Sequence, residues 1–269
     1  MTSTTLPRSE LTSDIAGWRD GSGPAVLLIH GVGLRAEAWV PMLPHLASQF
    51  SVTLVDLPGH GQSARLPGRP TLADYTDCVA EVLETPTFVV GHSMGALIAM
   101  DMAVRYPALV SAITPLNAIF RRTDAASRAI KERSAALANE ACPDPSGTLD
   151  RWFGSAPQGH MKAARDACHN WLTTVDPVGY AQAYRVFADE DGPSDASLAQ
   201  IACPALFITG QEEPNSTPAM SQALAQHVPQ GRAAIVTKAR HMMPMTHATE
   251  VSDLLSMFIH ESAGHFAEP

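Results

Sequence analysis

Five apolar runs along the chain are short, rich in Leu, Ile and Val, and almost unalternated: PAVLLIH at 24–30, SVTLVDL at 51–57, TFVVGH at 87–92, PALFITG at 204–210 and AAIVTKA at 233–239. A strand with one wet face alternates apolar and polar residues, and a strand covered on both faces does not. These runs therefore predict buried strands of a parallel sheet. Between them the spacing turns helical in ADYTDCVAEVLE (73–84), ALIAMDMAVRYP (96–107) and TPAMSQALAQHV (217–228). Strand alternating with helix predicts an α/β protein built on a doubly wound, mostly parallel sheet.

The alternation lapses between about 119 and 199, where the pattern is helical, carries Trp152, Met161, Trp171 and Tyr184, and is broken by PDPSG and EDGPSD. Strand signals resume at Pro204. The interruption falls late in the sheet, where the ends of parallel strands open a crevice, so it reads as a helical lid insertion (119–199). The α/β core is then 1–118 together with 200–269. A chain of 269 residues is long enough for one sizeable core with such an insertion.

Charge and cysteine usage narrow the partners. The formal net charge is -9, with 18 Lys and Arg against 27 Asp and Glu. That balance gives no electrostatic grip on nucleic acid or anionic lipid and points to a small-molecule partner. No apolar run approaches the roughly 20 residues needed to cross a bilayer, and MTSTTLPRSELTSDIAGW lacks the apolar segment of a secretory signal, so no membrane association and a cytoplasmic location are expected. Cys78, Cys142, Cys168 and Cys203 are scattered without CxxC spacing, which predicts reduced thiols rather than a zinc site or a disulfide framework.

The chemistry centres on Gly91-His92-Ser93-Met94-Gly95, a G-x-S-x-G sequence directly after the strand TFVV and directly before a helix. A serine on so sharp a strand-to-helix turn takes strained backbone angles, and its flanking residues must be small; Ala96 continues that requirement. The turn lifts the hydroxyl out of the sheet and aims a helix N-terminus at the reacting oxygen.

This elbow resembles that of the α/β-hydrolase superfamily, in particular a lid-bearing branch of small esterases, lactonases, carbon-carbon hydrolases and cofactor-free perhydrolases. The resemblance also rests on HGVG (30–33), DLPGHGQS (56–63), GQEEP (210–214) and ARHMMP (239–244), and covers most of the chain apart from the insertion. It implies Ser93 as nucleophile, and an oxyanion hole made by the backbone N–H groups of Val32 and Met94. Losing one such donor typically costs about 100 to 1,000-fold in rate. Among the eleven histidines it implies His241 as the base, after the last strand-like run in a loop ending at Pro244, with His247 as nearest rival. His30, His60 and His92 fall in loop motifs where the resemblance implies structural hydrogen bonding.

Aligning Gly210 and Pro214 with the family pattern puts Glu213 at the acid position, where relatives usually carry aspartate. Either carboxylate can hold the imidazole tautomer and stabilise imidazolium. Glu212, and Asp124 beyond the loop TPLNAIF with its Asn117, remain alternatives. No cofactor is implied, and no carboxylate or cysteine stands at metal-ligand spacing between His241 and His247.

A Ser, a carboxylate and a His in this chain order imply acyl transfer to water through an acyl-enzyme. Met242, Met243 and the aromatic residues of the insertion suggest a mainly apolar pocket for a small or medium ester or lactone. Carbon-carbon hydrolases of this branch carry tryptophan after the base, where this chain has Met242. Perhydrolases share the triad, and a non-catalytic binding protein of the same fold would be expected to carry a damaged one. Ser93 excludes the aspartate-nucleophile chemistry of dehalogenases and epoxide hydrolases.

Overall fold

Eight strands form a single sheet: β1 (Ser9–Glu10), β2 (Ala16–Asp20), β3 (Ala25–Ile29), β4 (Ser51–Val55), β5 (Thr87–His92), β6 (Val110–Leu116), β7 (Ala205–Gly210) and β8 (Gly231–Val236). The computed structural model describes residues 6–137 and 144–265, so Cys142 lies outside the described residues. The spatial order is β1-β2-β4-β3-β5-β6-β7-β8. From β4 to β8 every neighbour is parallel, and β1 and β2 add an antiparallel edge.

The strands lack alternation because both faces are covered. In β3, Leu27 and Ile29 enter one apolar cluster while Val26 and Leu28 enter another. The first cluster contains Val79 of the helix Leu72–Ala80 and Leu97, Ile98 and Met100 of the helix Met94–Arg105. The second contains Trp39, Met42 and Leu46, together with Val251, Leu255 and Phe258 of the helix Ala248–His265. Each such side chain stabilises the fold by about 1.5–3 kcal/mol when fully buried, so helices on both sides are required to keep the sheet covered.

The structure differs from the sequence pattern at the last strand. The final strand begins at Gly231 rather than 233 and ends at Val236, because the chain turns at Lys238, whose φ is 59°. A short turn, Met243–Thr246, precedes the final helix, Ala248–His265.

Between 119 and 199 the described residues form the helices Asp124–Leu137, Ser146–Phe153, Gly159–Thr174, Pro177–Asp189 and Asp195–Ala199. Asp176 caps the fourth by accepting from the N–H of Val178, with Pro177 supplying a preset φ at its start. Leu149, Trp171, Leu172 and Val186 join the first cluster, so this segment packs into the same core as the sheet. The main chains of Gly59 and Gly179 touch, since a Cβ on Gly59 would lie 2.6 Å from Cα of Gly179. Among the described residues no helix is long and apolar enough to cross a membrane.

Candidate active site

Val32, Ser93, Asn117, Glu213 and His241 all follow the carboxyl ends of parallel strands (β3, β5, β6, β7 and β8), the edge at which an open α/β sheet forms its crevice. Ser93 has φ 57° and ψ -112°, a left-handed conformation that a side chain rarely adopts. The neighbouring main chain enforces it. A Cβ on Gly91 would sit 1.9 Å from the carbonyl oxygen of Gly95, and one on Gly95 would sit 2.3 Å from that of Ile29. The two glycines of the motif are thus required by contact between the turn, its own helix and β3.

His241 Nδ1 donates to Glu213 Oε2 at 2.7 Å, and both side chains are buried. With the proton on Nδ1, the neutral ring keeps its lone pair on Nε2. The other carboxylate oxygen, Oε1, accepts from the N–H groups of Asn215 (2.8 Å) and Ser216 (3.3 Å). Burial disfavours the charge of Glu213, but the His241 ring and these hydrogen bonds overcome it and hold the carboxyl below its ordinary pKa. The alternatives point elsewhere: Glu212 pairs with Arg240 at 3.0 Å, Asp124 begins a helix, and His247 Nδ1 meets Thr246 Oγ1 at 2.9 Å.

The three motif histidines hold main chain. His30 donates from Nδ1 to the carbonyl of Gly31 (2.7 Å) and accepts at Nε2 from the N–H of Leu57 (2.9 Å). His60 donates to the carbonyl of Pro58 (3.1 Å) and accepts from the N–H of Gly33 (2.9 Å), which fixes the loop containing Val32. His92 donates from Nε2 to the carbonyl of His241 at 2.8 Å. Burial, joined by the adjacent His241 ring, pushes His92 well below its ordinary pKa and keeps it neutral.

Ser93 and His241 open onto one cavity of about 530 Å³, which Val32 also lines. Met94 is wholly buried beside Ser93. As the first helical residue it has no intrahelical acceptor for its N–H. No hydrogen bond joins Ser93 Oγ to His241 among the described residues; nucleophile-to-base contacts commonly tighten only when substrate binds.

The cavity is less uniformly apolar than the sequence pattern suggests. Trp152, Tyr180, Tyr184 and Phe187 give it aromatic walls, but Arg122, Arg133 and Arg151 line it too. Trp152 stacks on the His241 ring with centroids 5.1 Å apart and planes 24° apart. Sequence reasoning missed the three arginines, the Trp152 stack and the contact of Asn117 with His241. All three depend on how residues 119–199 or β6 fold back over the other loops.

Residues 26–254 match the profile of the Alpha/beta hydrolase family. The chain is 36% identical over 246 residues to the (E)-2-((N-methylformamido)methylene)succinate hydrolase of Acinetobacter baylyi, covering 90% of this chain and 92% of the relative. It is 28% identical over 244 residues to the pimeloyl-acyl-carrier-protein methyl ester esterase of Xanthomonas oryzae pv. oryzae, covering 89% and 96%. Among solved structures, a thermophilic esterase from Thermogutta terrifontis with malate bound superposes with a TM-score of 0.82 at 22% identity, over 92% of this chain and 93% of that one.

Proposed function

The chain belongs to the α/β-hydrolase family, and from that premise we propose that it is a serine hydrolase cleaving a small or medium carboxylic ester or lactone through an acyl-enzyme. The observation carrying this reading is that His241, paired with the buried Glu213 at 2.7 Å, and a serine on a strained elbow face the same cavity. In the proposed cycle His241 Nε2 takes the Ser93 proton as Oγ attacks the carbonyl carbon. The N–H groups of Val32 and Met94 hold the resulting oxyanion. Collapse expels the alcohol, which takes its proton from His241; a water activated by the same ring then attacks the acyl group and releases the acid and Ser93. Glu213 stays ionised and stabilises imidazolium. Residues 119–199 act in this reading as a lid, supported by the placement of Trp152 against the base and of Tyr180 and Tyr184 in the cavity wall.

A second reading is amide cleavage by the same steps. It is favoured by the relative at 36% identity, whose name denotes an N-methylformamido compound of succinate. Replacing the alcohol with an amine as leaving group changes no residue role.

The test is covalent labelling with a fluorophosphonate alongside turnover of p-nitrophenyl acetate. Wild-type protein is expected to label at residue 93 and to turn over, and Ser93→Ala to do neither. Folded wild-type protein that takes no label and hydrolyses no ester or N-acyl substrate overturns the proposal.

A further inference from the structure

Resting on the hydrolase reading, we propose that Arg133 and Arg151 form a carboxylate-binding subsite, with Arg122 as a fixed positive charge beside it, so that the substrate carries a carboxylate separate from its scissile acyl group. The chain as a whole is acidic, at -9, yet the cavity that holds Ser93 collects three guanidinium groups and, among the described residues, no Asp or Glu lines it. The three come from different parts of the fold: Arg122 from the stretch after β6, Arg133 from the helix Asp124–Leu137 and Arg151 from the helix Ser146–Phe153. Convergence on one cavity is therefore a tertiary arrangement and not a local run of basic residues.

Their states differ in a way that assigns roles. Arg122 is almost wholly buried and already committed: its guanidinium donates to the carbonyls of Glu190 and Phe187 and lies 4.6 Å over the Phe187 ring. It supplies charge without free reach. Arg133 lies 5.6 Å from the Tyr184 ring centroid, and its buried Nε has no hydrogen-bond partner. Arg151 donates to Thr148 Oγ1 at 3.0 Å. Neither of the last two has a carboxylate ion-pair partner among the described residues, whereas nearby Arg121, Arg165 and Arg185 pair with Asp195, Asp150 and Asp189.

Burying the Arg133 Nε without an acceptor is unfavourable, Arg151 beside it is exposed and has no carboxylate partner among the described residues, and a planar carboxylate is the group whose two oxygens match a guanidinium fork. The walls favour the same ligand over a phosphorylated one. They offer aromatic rings and Ile119, Ala129 and Ile130 next to the arginines, with no lysine among the lining residues. A cavity of about 530 Å³ has room for a scissile acyl group at Ser93 and a separate carboxylate at the arginines.

Two measurements separate this subsite from the hydrolase reading it depends on. In the first, p-nitrophenyl hemisuccinate is compared with p-nitrophenyl propionate; the acid is expected to show at least a tenfold higher kcat/KM, carried mainly by KM. The ratio is expected to approach one in Arg133→Met and Arg151→Met, and to be kept in Arg121→Met, whose guanidinium is exposed and paired outside the cavity. Because the ratio compares two substrates on one sample, partial misfolding does not move it. In the second, succinate and methyl phosphate are titrated calorimetrically into the wild type and Arg133→Met; succinate binding is expected only in the wild type and more tightly than phosphate. Equal kcat/KM for acid and neutral esters overturns the subsite while leaving the hydrolase standing. So does the absence of succinate binding, or tighter binding of methyl phosphate, whether or not any ester is hydrolysed.

Discussion

The amide of Asn117 donates to the carbonyl oxygen of His241 at 2.7 Å across 124 residues of sequence. Its own Oδ1 accepts from the N–H of Gly210 at 3.3 Å, so one side chain ties His241 to the end of the strand that leads to Glu213. His92 adds a second donor to the same His241 carbonyl at 2.8 Å. The turn that carries Ser93 and the loops that carry Glu213 and His241 are thus held in register through Asn117 and the His241 carbonyl.

Asn117→Gly is the cleanest test of that tie. Asn117 has φ 50°, which glycine accepts without strain, so only the side chain is lost. The change takes the acceptor from the Gly210 N–H, at a cost of about 1–3 kcal/mol, and leaves the His241 carbonyl with His92 as its remaining side-chain donor. Turnover is expected to fall about tenfold or more with KM little changed, and the melting temperature to drop. Unaltered kcat in a folded variant would remove Asn117 from the positioning of His241.

Glu213→Gln tests the acid. An amide nitrogen at the position of Oε2 would point a donor at His241 Nδ1, driving the ring to the tautomer that protonates Nε2 and abolishing the base. Turnover is expected to fall about 10³–10⁴-fold with the fold intact, as checked by circular dichroism. The same carboxyl has a lowered pKa in the folded state. Its contribution to stability is therefore present above the ordinary carboxylate range and is lost as pH falls through the lowered folded value. Near-normal turnover in the variant would return the role to Glu212 or Asp124.

The parts legible in the sequence were those whose signal is local. β3, β4, β5 and β7 were readable because two-sided burial leaves continuous apolar runs, and the elbow because Gly91 and Gly95 touch main chain within a few residues or on the adjacent strand. The edge strand β2, AGWRD, was not readable: with one end exposed it carries neither a continuous nor an alternating pattern. Arg133 and Arg151 read as ordinary helical residues and Trp152 as one pocket aromatic among several, since what places them at the cavity is the path of a segment that the sheet pattern does not constrain. Asn117 was noticed only as a place lacking a carboxylate. Its function lies in two main-chain partners 93 and 124 residues away, which no local pattern encodes.

Gly91→Ala and Gly264→Ala should separate steric need from mere flexibility. At position 91 the new methyl would lie 1.9 Å from the Gly95 carbonyl oxygen and 2.7 Å from the N–H nitrogen of Ala96, all rigid backbone. At position 264, in the last turn of the final helix, it meets nothing within 4 Å. Gly91→Ala is expected to destroy activity and lower stability by several kcal/mol. Gly264→Ala is expected to leave activity unchanged and stability equal or higher by up to about 1 kcal/mol. Chemical denaturation of both variants decides it, and a well-folded, active Gly91→Ala would contradict the close approach at the elbow.

The buried histidines predict how stability responds to acid. His30 and His60 each use one ring nitrogen as donor and the other as acceptor of a main-chain N–H, from Leu57 and Gly33 respectively. Protonation would set a second donor against that N–H in a site closed to water. Burial, with the neighbouring His60 ring, accordingly lowers His30 to about 3, and burial lowers His60 and His92 as well. Unfolded histidine binds a proton below about pH 6.5. Between that value and the folded pKa the unfolded chain holds the extra proton, so stability must fall as pH falls. His30 alone is expected to cost about 2 kcal/mol at pH 5 relative to pH 7.5, with His60 and His92 adding losses of the same sign. Most carboxylates remain ionised at pH 5, so a fall in the urea midpoint between pH 6.5 and 5 reports these rings rather than general acid denaturation. A midpoint that holds level across that interval would mean the rings accept protons in the folded protein, and with them the donor-acceptor assignment of the two loops would have to be abandoned.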